Sequence, residues 1–148
     1  MISATILSNN ILKRAFKEQN IEVTPMKLQK LIYLIYKSYL KKTGDSLFAE
    51  KFLAWKYGPV VQSVYDEFKT FGATHITKFA RDCCGNVYIV DEDSPVFVET
   101  VEEIWCKYKK YNGIELSKMT HKPGSAWDCA KKNGLVLLDE DIKNEPDY

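Results

Sequence analysis

The chain has 148 residues, of which 45% are hydrophobic and 28% charged, and its formal net charge is +1. This length and balance are typical of one globular domain, here residues 1–148. Such a charge argues against a nucleic-acid partner, because general phosphate binders carry a strong basic excess.

The lengths of the apolar runs, the start of the sequence and the cysteines argue against three further classes: membrane proteins, secreted proteins and zinc proteins. No apolar run reaches the roughly 18 residues that a membrane-spanning helix needs, and the start, MISATILSNNILKRAF, lacks the pattern of a signal peptide. We therefore expect a cytoplasmic protein with no membrane partner. The cysteines, Cys83, Cys84, Cys106 and Cys129, form no C-x-x-C pair, so we expect reduced thiols, no zinc site and no cofactor.

The first part of the sequence predicts two helices. Residues 3–19 place apolar side chains near helical spacing, and Ser3 can cap their N-terminus. Thr24 and Pro25 form a second start signal, since threonine caps and the missing N–H of proline loses no bond there. Gly44 ends this second helix. More than half of its circumference is apolar, which predicts a central position with neighbours on several sides.

The remaining face of the second helix is a row of lysines. It carries Lys27, Lys30, Lys37 and Lys41, with Leu34 in the middle of the row. Long lysine side chains usually lie in water, so a solvated face is the simplest interpretation. The alternative is a docking strip for an acidic partner or a local stretch of nucleic acid.

The middle of the chain predicts β structure on either side of a third helix. Residues 52–55 form a short apolar strand, which Gly58 interrupts, and Pro59 can open a helix over residues 60–71. Residues 74–80 and 87–90 are rich in strand-forming side chains and flank the turn DCCGN, so they predict a hairpin.

The last part predicts more helix. Start signals stand at Ser94, Ser125 and Asp139, and Asn112-Gly113 is a stop signal. Residues 144–148 are expected to fray. The predicted fold class is α+β, mainly α: a compact bundle of about five to six helices with a small antiparallel β element.

Catalytic motifs are missing from the sequence. It contains no G-x-S-x-G, no G-x-x-x-x-G-K and no H-E-x-x-H pattern. The simplest role for His121 is to fix the following Lys-Pro-Gly turn, because one imidazole without partners rarely makes a site. We therefore expect no enzyme, and a hydrolase built around His121 is the less favoured alternative.

Three stretches resemble the Panacea domain family, also described as SocA-like or GepA-like phage-associated proteins. The family's K-L-Q-K-L-x-Y helix matches residues 27–33, and a Leu-Phe segment and A-W-x-Y-G-P-V-V follow at residues 47–48 and 54–61. Residues 116–127 are similar to the family's L-x-x-x-T-H-x-x-x-x-W segment, with Ala126 where proline is common. The resemblance covers roughly residues 12–142.

The resemblance implies a mainly helical fold and a non-catalytic antitoxin role, in which the domain binds and neutralises a cognate toxin protein. Some relatives resemble adaptors that present a toxin to a Clp-type protease. Others occur in phages, so an inhibitor of a host defence protein or nuclease is the alternative. The resemblance implies no oligomeric state.

Partner contacts are expected at the lysine row, at the glycine-proline corner and at the T-H…W segment. Aromatic and mixed surfaces suit protein interfaces, although the aromatic residues among them could equally belong to the core. The candidate contact residues are Lys30, Leu34, Lys37, Lys41, Trp55, Tyr57, Gly58, Pro59, His121 and Trp127.

Overall fold

Seven α-helices and a two-stranded antiparallel sheet make up the part of the chain that the computed structural model describes, residues 2–148. The fold class α+β, mainly α, is confirmed, and two short helices near the C-terminus bring the number to seven. The helices are α1 (Ala4–Lys17), α2 (Pro25–Thr43), α3 (Gln62–Phe68), α4 (Pro95–Tyr108), α5 (Gly113–Thr120), α6 (Ala126–Cys129) and α7 (Asp139–Asn144), and the strands are β1 (Leu53–Trp55) and β2 (Gly58–Val60).

Helix α2 lies at the centre of the molecule, as predicted, and contacts α1, α3, α4, α5, α7 and β2. The Thr24 hydroxyl accepts a hydrogen bond from the Lys27 backbone N–H at 3.2 Å, and Pro25 is the first helical residue. At the other end Gly44 adopts a left-handed conformation with φ +79°. Both ends of the central helix were therefore predictable from the local sequence.

The small sheet follows α2 and forms a tight hairpin. Strands β1 and β2 pair antiparallel, with Trp55 opposite Gly58. A third segment joins the other edge of β1, where the Ala54 N–H donates to the Leu135 carbonyl at 2.8 Å and the Leu137 N–H to the Phe52 carbonyl at 2.9 Å. The predicted strand over residues 52–55 is thus confirmed.

The prediction that Pro59 opens a helix is wrong. Pro59 lies inside β2, and α3 begins three residues later at Gln62. The Gln29 side chain accounts for the delay, because it donates to the Val61 carbonyl at 3.1 Å and accepts from the Val61 N–H at 3.0 Å. These two bonds keep the chain extended as far as Val61.

The predicted hairpin over residues 74–90 is also wrong, since neither of its two segments forms a regular strand. Their backbone groups bond instead to two asparagines of α1. The Asn9 amide donates to the Ala80 and Tyr88 carbonyls and accepts from the Ala80 N–H, and Asn10 makes a reciprocal pair with Val90. Buried side-chain amides have taken the place of strand pairing.

Asn112 and Gly113 start a helix as well as following one. Asn112 caps α5 through a reciprocal pair of bonds with Glu115. The prediction that Asn112-Gly113 stops the preceding helix is wrong, because α4 ends at Tyr108 with Lys109 as its C-cap. A side chain at Gly113 would lie 3.0 Å from the Lys27 backbone nitrogen. The missing side chain therefore lets α5 approach the start of α2 closely. No helix within residues 2–148 has the length and apolarity needed to span a bilayer.

Candidate functional site

The lysine row of α2 does not face water, and the prediction of a solvated face is wrong. Lys27, Lys30 and Lys37 are only 4%, 1% and 3% exposed, and Leu34 belongs to the core. Each of the three buried amines donates to a backbone carbonyl of a neighbouring segment: that of Lys109, of Pro59 at 3.0 Å and of Pro146 at 2.7 Å. The elements packed around α2 cover this face as well as the apolar one.

The C-terminal tail, residues 145–148, packs on one end of this row, so the expectation that it frays is wrong. The Glu145 carboxylate is buried and lies 2.9 Å from the Lys37 amine. It also accepts hydrogen bonds from the Tyr33 hydroxyl at 3.0 Å, the Tyr148 hydroxyl at 2.8 Å and the Ala126 N–H at 3.0 Å. Burial lowers the pKa of Lys37, and the Glu145 carboxylate opposes that shift.

Lys41 binds the same tail from a more exposed position. Its amine lies 3.0 Å from the Asp147 carboxylate and donates to the Glu145 carbonyl. The carboxylates that meet Lys37 and Lys41, those of Glu145 and Asp147, are therefore both part of this chain.

Lys30 lies in a different place, beneath the hairpin of β1 and β2. Its amine donates to the Pro59 carbonyl, and burial lowers its pKa from 10.5 to about 7. Gly58 crosses directly above it with φ +115°. A side chain at Gly58 would lie 3.0 Å from Lys30 Cε and 2.8 Å from Thr120 Oγ1. The hairpin therefore rests on α2 and α5 with no space for a side chain between them.

Side chains of the later helices hold the backbone of the hairpin. The Ser117 hydroxyl donates to the Tyr57 carbonyl at 2.5 Å, and the Trp127 indole N–H donates to the Trp55 carbonyl at 2.6 Å. Together with Lys30 on Pro59, three elements bond to consecutive parts of one short turn. Hydrogen bonds from α2, α5 and α6 therefore hold the conformation of the turn.

His121 packs against Trp127 and bonds to the backbone of α5. Its Nδ1–H donates to the Ser117 carbonyl, and its ring meets the Trp127 indole edge-on at 5.4 Å between centroids. Within residues 2–148 neither ring nitrogen is hydrogen-bonded to a carboxylate or a thiol, so the geometry gives no support to a hydrolase built on His121. The same residues contain no cluster of three His, Cys, Asp or Glu side chains that could hold a metal ion.

A concave surface of about 380 Å³ opens beside the hairpin, and we call it the aromatic groove. Tyr57 and Tyr65 stand at its rim, 53% and 41% exposed, and Trp55 meets Tyr65 edge-to-face at 4.8 Å. No acidic residue lines it. Its lining residues are Pro25, Met26, Gln29, Lys30, Trp55, Lys56, Tyr57, Val60, Val64, Tyr65, Phe68 and Gly72.

The predicted contact residues thus fall into three groups. Lys30, Trp55 and Tyr57 line the aromatic groove. Gly58 and Pro59 belong to the hairpin itself, and His121 and Trp127 support it from behind. Leu34, Lys37 and Lys41 lie apart from the groove. Whether any of them contacts a partner stays a prediction.

Sequence reasoning missed the far wall of the aromatic groove. Val64 and Phe68 of α3 are buried, whereas Tyr65 is 41% exposed. Helical periodicity places all three side chains on one apolar face and does not show which of them is exposed.

Comparison with known proteins identifies the family. Residues 28–128, more than half of the chain, match the family model described as "Antitoxin SocA-like, Panacea domain". Antitoxin SocA of Caulobacter vibrioides (strain NA1000 / CB15N) is 27% identical over 157 aligned positions, which cover 97% of this chain and 81% of that protein. No solved structure matches the chain. The matched stretch includes the hairpin and all of α3, α4 and α5, and on this basis the chain belongs to the SocA-like antitoxin family with a Panacea domain.

Proposed function

We propose that this protein is a cytoplasmic antitoxin that neutralises a cognate toxin protein by binding it, and that the toxin contacts the aromatic groove. Membership of the SocA-like antitoxin family supports the role. The observation that carries the choice of surface is a group of exposed aromatic side chains around a concave, largely apolar site.

The chemistry of the groove suits a protein partner. Tyrosine and tryptophan are enriched among the residues that contribute most to protein–protein affinity. They offer a large contact area while losing little rotamer entropy, since each has two side-chain torsions. Tyr57 and Tyr65 are both well exposed, and Trp55 joins them at the rim.

The groove is also held in place before any partner arrives. The carbonyls of Trp55, Tyr57 and Pro59 each accept a hydrogen bond from a side chain of another element. A preordered turn loses little entropy on binding, so more of the contact free energy appears as affinity.

The test is rescue of growth in a host that expresses the protein encoded beside this one. We expect that protein alone to arrest growth, and co-expression of the antitoxin to restore growth and yield a complex on purification. Tyr57→Ala and Tyr65→Ala should each weaken the complex by about 2 kcal/mol, roughly 30-fold in Kd. Tyr88→Ala is the matched control, because Tyr88 is 53% exposed like Tyr57 but lies outside the groove.

A complex that forms but tolerates both groove variants would reject the groove as the contact surface. Absence of rescue and of any complex would reject the antitoxin role itself. The level of the toxin separates two modes of action: simple sequestration leaves its half-life unchanged, whereas an adaptor for a Clp-type protease shortens it only in cells that contain the protease.

A further inference from the structure

We propose that residues 86–90 form an open strand edge through which two copies of this chain pair antiparallel. We call this segment the pairing edge. It precedes α4 in the chain and contributes no residue to the aromatic groove. The inference therefore concerns a second surface of the molecule and does not depend on the proposed function.

One side of the pairing edge is bonded to α1. The Tyr88 carbonyl accepts a hydrogen bond from the Asn9 amide at 2.8 Å. The Val90 N–H and carbonyl form a reciprocal pair with the Asn10 amide, at 2.8 and 2.9 Å. The bonded residues alternate, as they do along one edge of a β-strand, where the backbone groups of every second residue point the same way.

The other side of the pairing edge is free. Within residues 2–148 the N–H and carbonyl groups of Val87 and Ile89 form no hydrogen bond. Both residues are exposed, by 38% and 40%, and unpaired backbone groups are tolerated where water reaches them. Donors and acceptors therefore face outward in a row, which is the template that strand pairing requires.

The segment lacks the features that usually protect such an edge. Natural edge strands carry lysine, proline or a bulge that prevents pairing with another chain. The pairing edge reads NVYIV, with no charge and no proline, and its three central side chains are exposed. Valine, tyrosine and isoleucine all favour strands. A second strand laid on this edge would bury these side chains and satisfy the free backbone groups.

A second copy of the segment fits the edge through a two-fold axis at Tyr88. Antiparallel pairing about this residue sets Val87 of each copy opposite Ile89 of the other, so that the free groups of both exchange N–H···O bonds. Tyr88 then meets Tyr88 of the second copy in the closer, non-hydrogen-bonded position, where aromatic pairs are favourable. The edge is thus complementary to itself.

The charges at the two ends of the edge favour this antiparallel arrangement. The Arg81 guanidinium donates to the Gly85 carbonyl at 2.8 Å, which holds a positive charge at the first end. The Asp82 carboxylate accepts from the Asn86 N–H and is directed into its own turn. Asp91 follows the last residue of the edge and is exposed. Antiparallel pairing brings Asp91 of each copy towards Arg81 of the other, so both ends are complementary in charge.

Neither of these two charges is used inside the molecule. Among the ion pairs of residues 2–148, none includes Arg81 or Asp91. The neighbouring Glu92, in contrast, pairs with Arg14. A second copy would therefore supply partners that this chain does not.

Sedimentation equilibrium of the purified protein is the first test. We expect the mean mass to rise with concentration from 17.1 kDa towards twice that value. Ile89→Lys should raise the Kd of the dimer at least about tenfold, because the ammonium group would lose water against Val87 of the second copy. Ile114→Lys is the matched control, since Ile114 is 63% exposed on α5. A mass of one chain at every concentration, or equal effects of both variants, would overturn the proposal.

A charge exchange tests the antiparallel arrangement. Arg81→Asp and Asp91→Arg should each weaken self-association, because like charges then meet at both ends of the pair. An equal mixture of the two variants should associate at least about tenfold more tightly than either alone, since each end then joins an aspartate to an arginine. A mixture that associates no better than its components would overturn the arrangement.

A single cysteine tests the position of the two-fold axis. Tyr88→Cys would place two thiols on residues whose Cα atoms lie about 4.5 Å apart, within the range of disulfides. Diamide should link them, the dye taking up the two hydrogens that the thiols lose. Val87→Cys is the control, because its copies lie diagonally at about 7–8 Å and should not link. Equal linking of both would overturn the register. The parent protein carries serine at its exposed cysteines, Cys83, Cys84 and Cys106.

Discussion

At the scale of single residues, the hairpin contains one position where a side chain would be unfavourable for two reasons, the backbone conformation and the lack of space. Gly58 has φ +115°, a conformation that residues with a side chain rarely adopt. The space where its Cβ would lie is already filled by Thr120 and Lys30. The sequence pointed to a special backbone here, but the two neighbours come from distant parts of the chain.

We predict that Gly58→Ala lowers the free energy of unfolding by about 2–6 kcal/mol. The backbone strain contributes about 1–3 kcal/mol and the overlap at Thr120 Oγ1 a similar amount. Gly44→Ala is the control, since Gly44 has φ +79° and open space where a Cβ would lie, and it should cost only about 1–2 kcal/mol. Urea denaturation measures both, and equal losses would show that the crowding is unimportant.

Lys30 gives the second prediction at this scale, a dependence of stability on pH. Its pKa is about 7 in the folded chain, against 10.5 ordinarily. Between these pH values the unfolded chain binds more protons than the folded one. Stability therefore rises with pH across this window, by at most about 1.4 kcal/mol per pH unit from this group, and is lost as pH falls towards 7.

Lys30→Met should flatten that rise. The measurement compares urea midpoints of the variant and the unaltered protein from pH 7 to about pH 9.5, below the range where unfolded tyrosines titrate near pH 10. Burial also lowers the pKa of Lys27 and Lys37, but both remain in the variant, so the difference reports Lys30. Parallel curves would contradict the lowered pKa.

At the scale of elements, α2 shows where a helical pattern informs and where it misleads. Its caps, length and central position could be predicted, because Thr24, Pro25 and Gly44 act locally. The environment of its lysines could not. Lysine stems are long and apolar, and their amines need only a carbonyl within reach, so the exposure of that face depends on what packs against it.

The C-terminal tail gives the prediction that belongs to this scale. Glu145→Gln should lower the free energy of unfolding by about 3–5 kcal/mol, because it leaves the Lys37 ammonium buried without its counter-charge. Asp147→Asn is the control in the same tail; its side chain is 82% exposed, so the change should cost at most about 1 kcal/mol. Chemical denaturation measures both.

A double variant checks the cause of that loss. Lys37→Met combined with Glu145→Gln removes both charges and should recover part of the stability, since replacing both partners of a buried pair costs less than breaking it. A double variant as unstable as the sum of the two single ones would show that the pair is not coupled.

The prediction of a hairpin over residues 74–90 was wrong for a different reason. Its composition is that of two strands, and composition gives the right answer only when the two strands pair with each other. Asn9 and Asn10 bond to both halves, at separations of 71 to 80 positions along the chain. Propensity was overridden by contacts that no local window contains.

At the scale of the whole molecule, the fold class and the family motifs could be predicted, and the assembly of the site could not. Trp55 and Trp127 were both candidates, from two motifs 72 positions apart, and the structure joins them through one hydrogen bond of 2.6 Å. Lys30 and Lys37 belonged to one predicted surface and lie in two separate environments. Residue types indicated which side chains matter, and the packing decided which of them meet.

The position of Glu145 in the sequence has a consequence for the order in which the core can form. Tyr33 is synthesised 112 residues before the Glu145 carboxylate that its hydroxyl binds. Until then the nascent polypeptide carries a central helix whose cation has no counter-charge and whose tyrosine has no acceptor from that side chain. A chain truncated before Glu145 would leave the Lys37 amine buried without its counter-charge, and we expect it to be less stable for that reason.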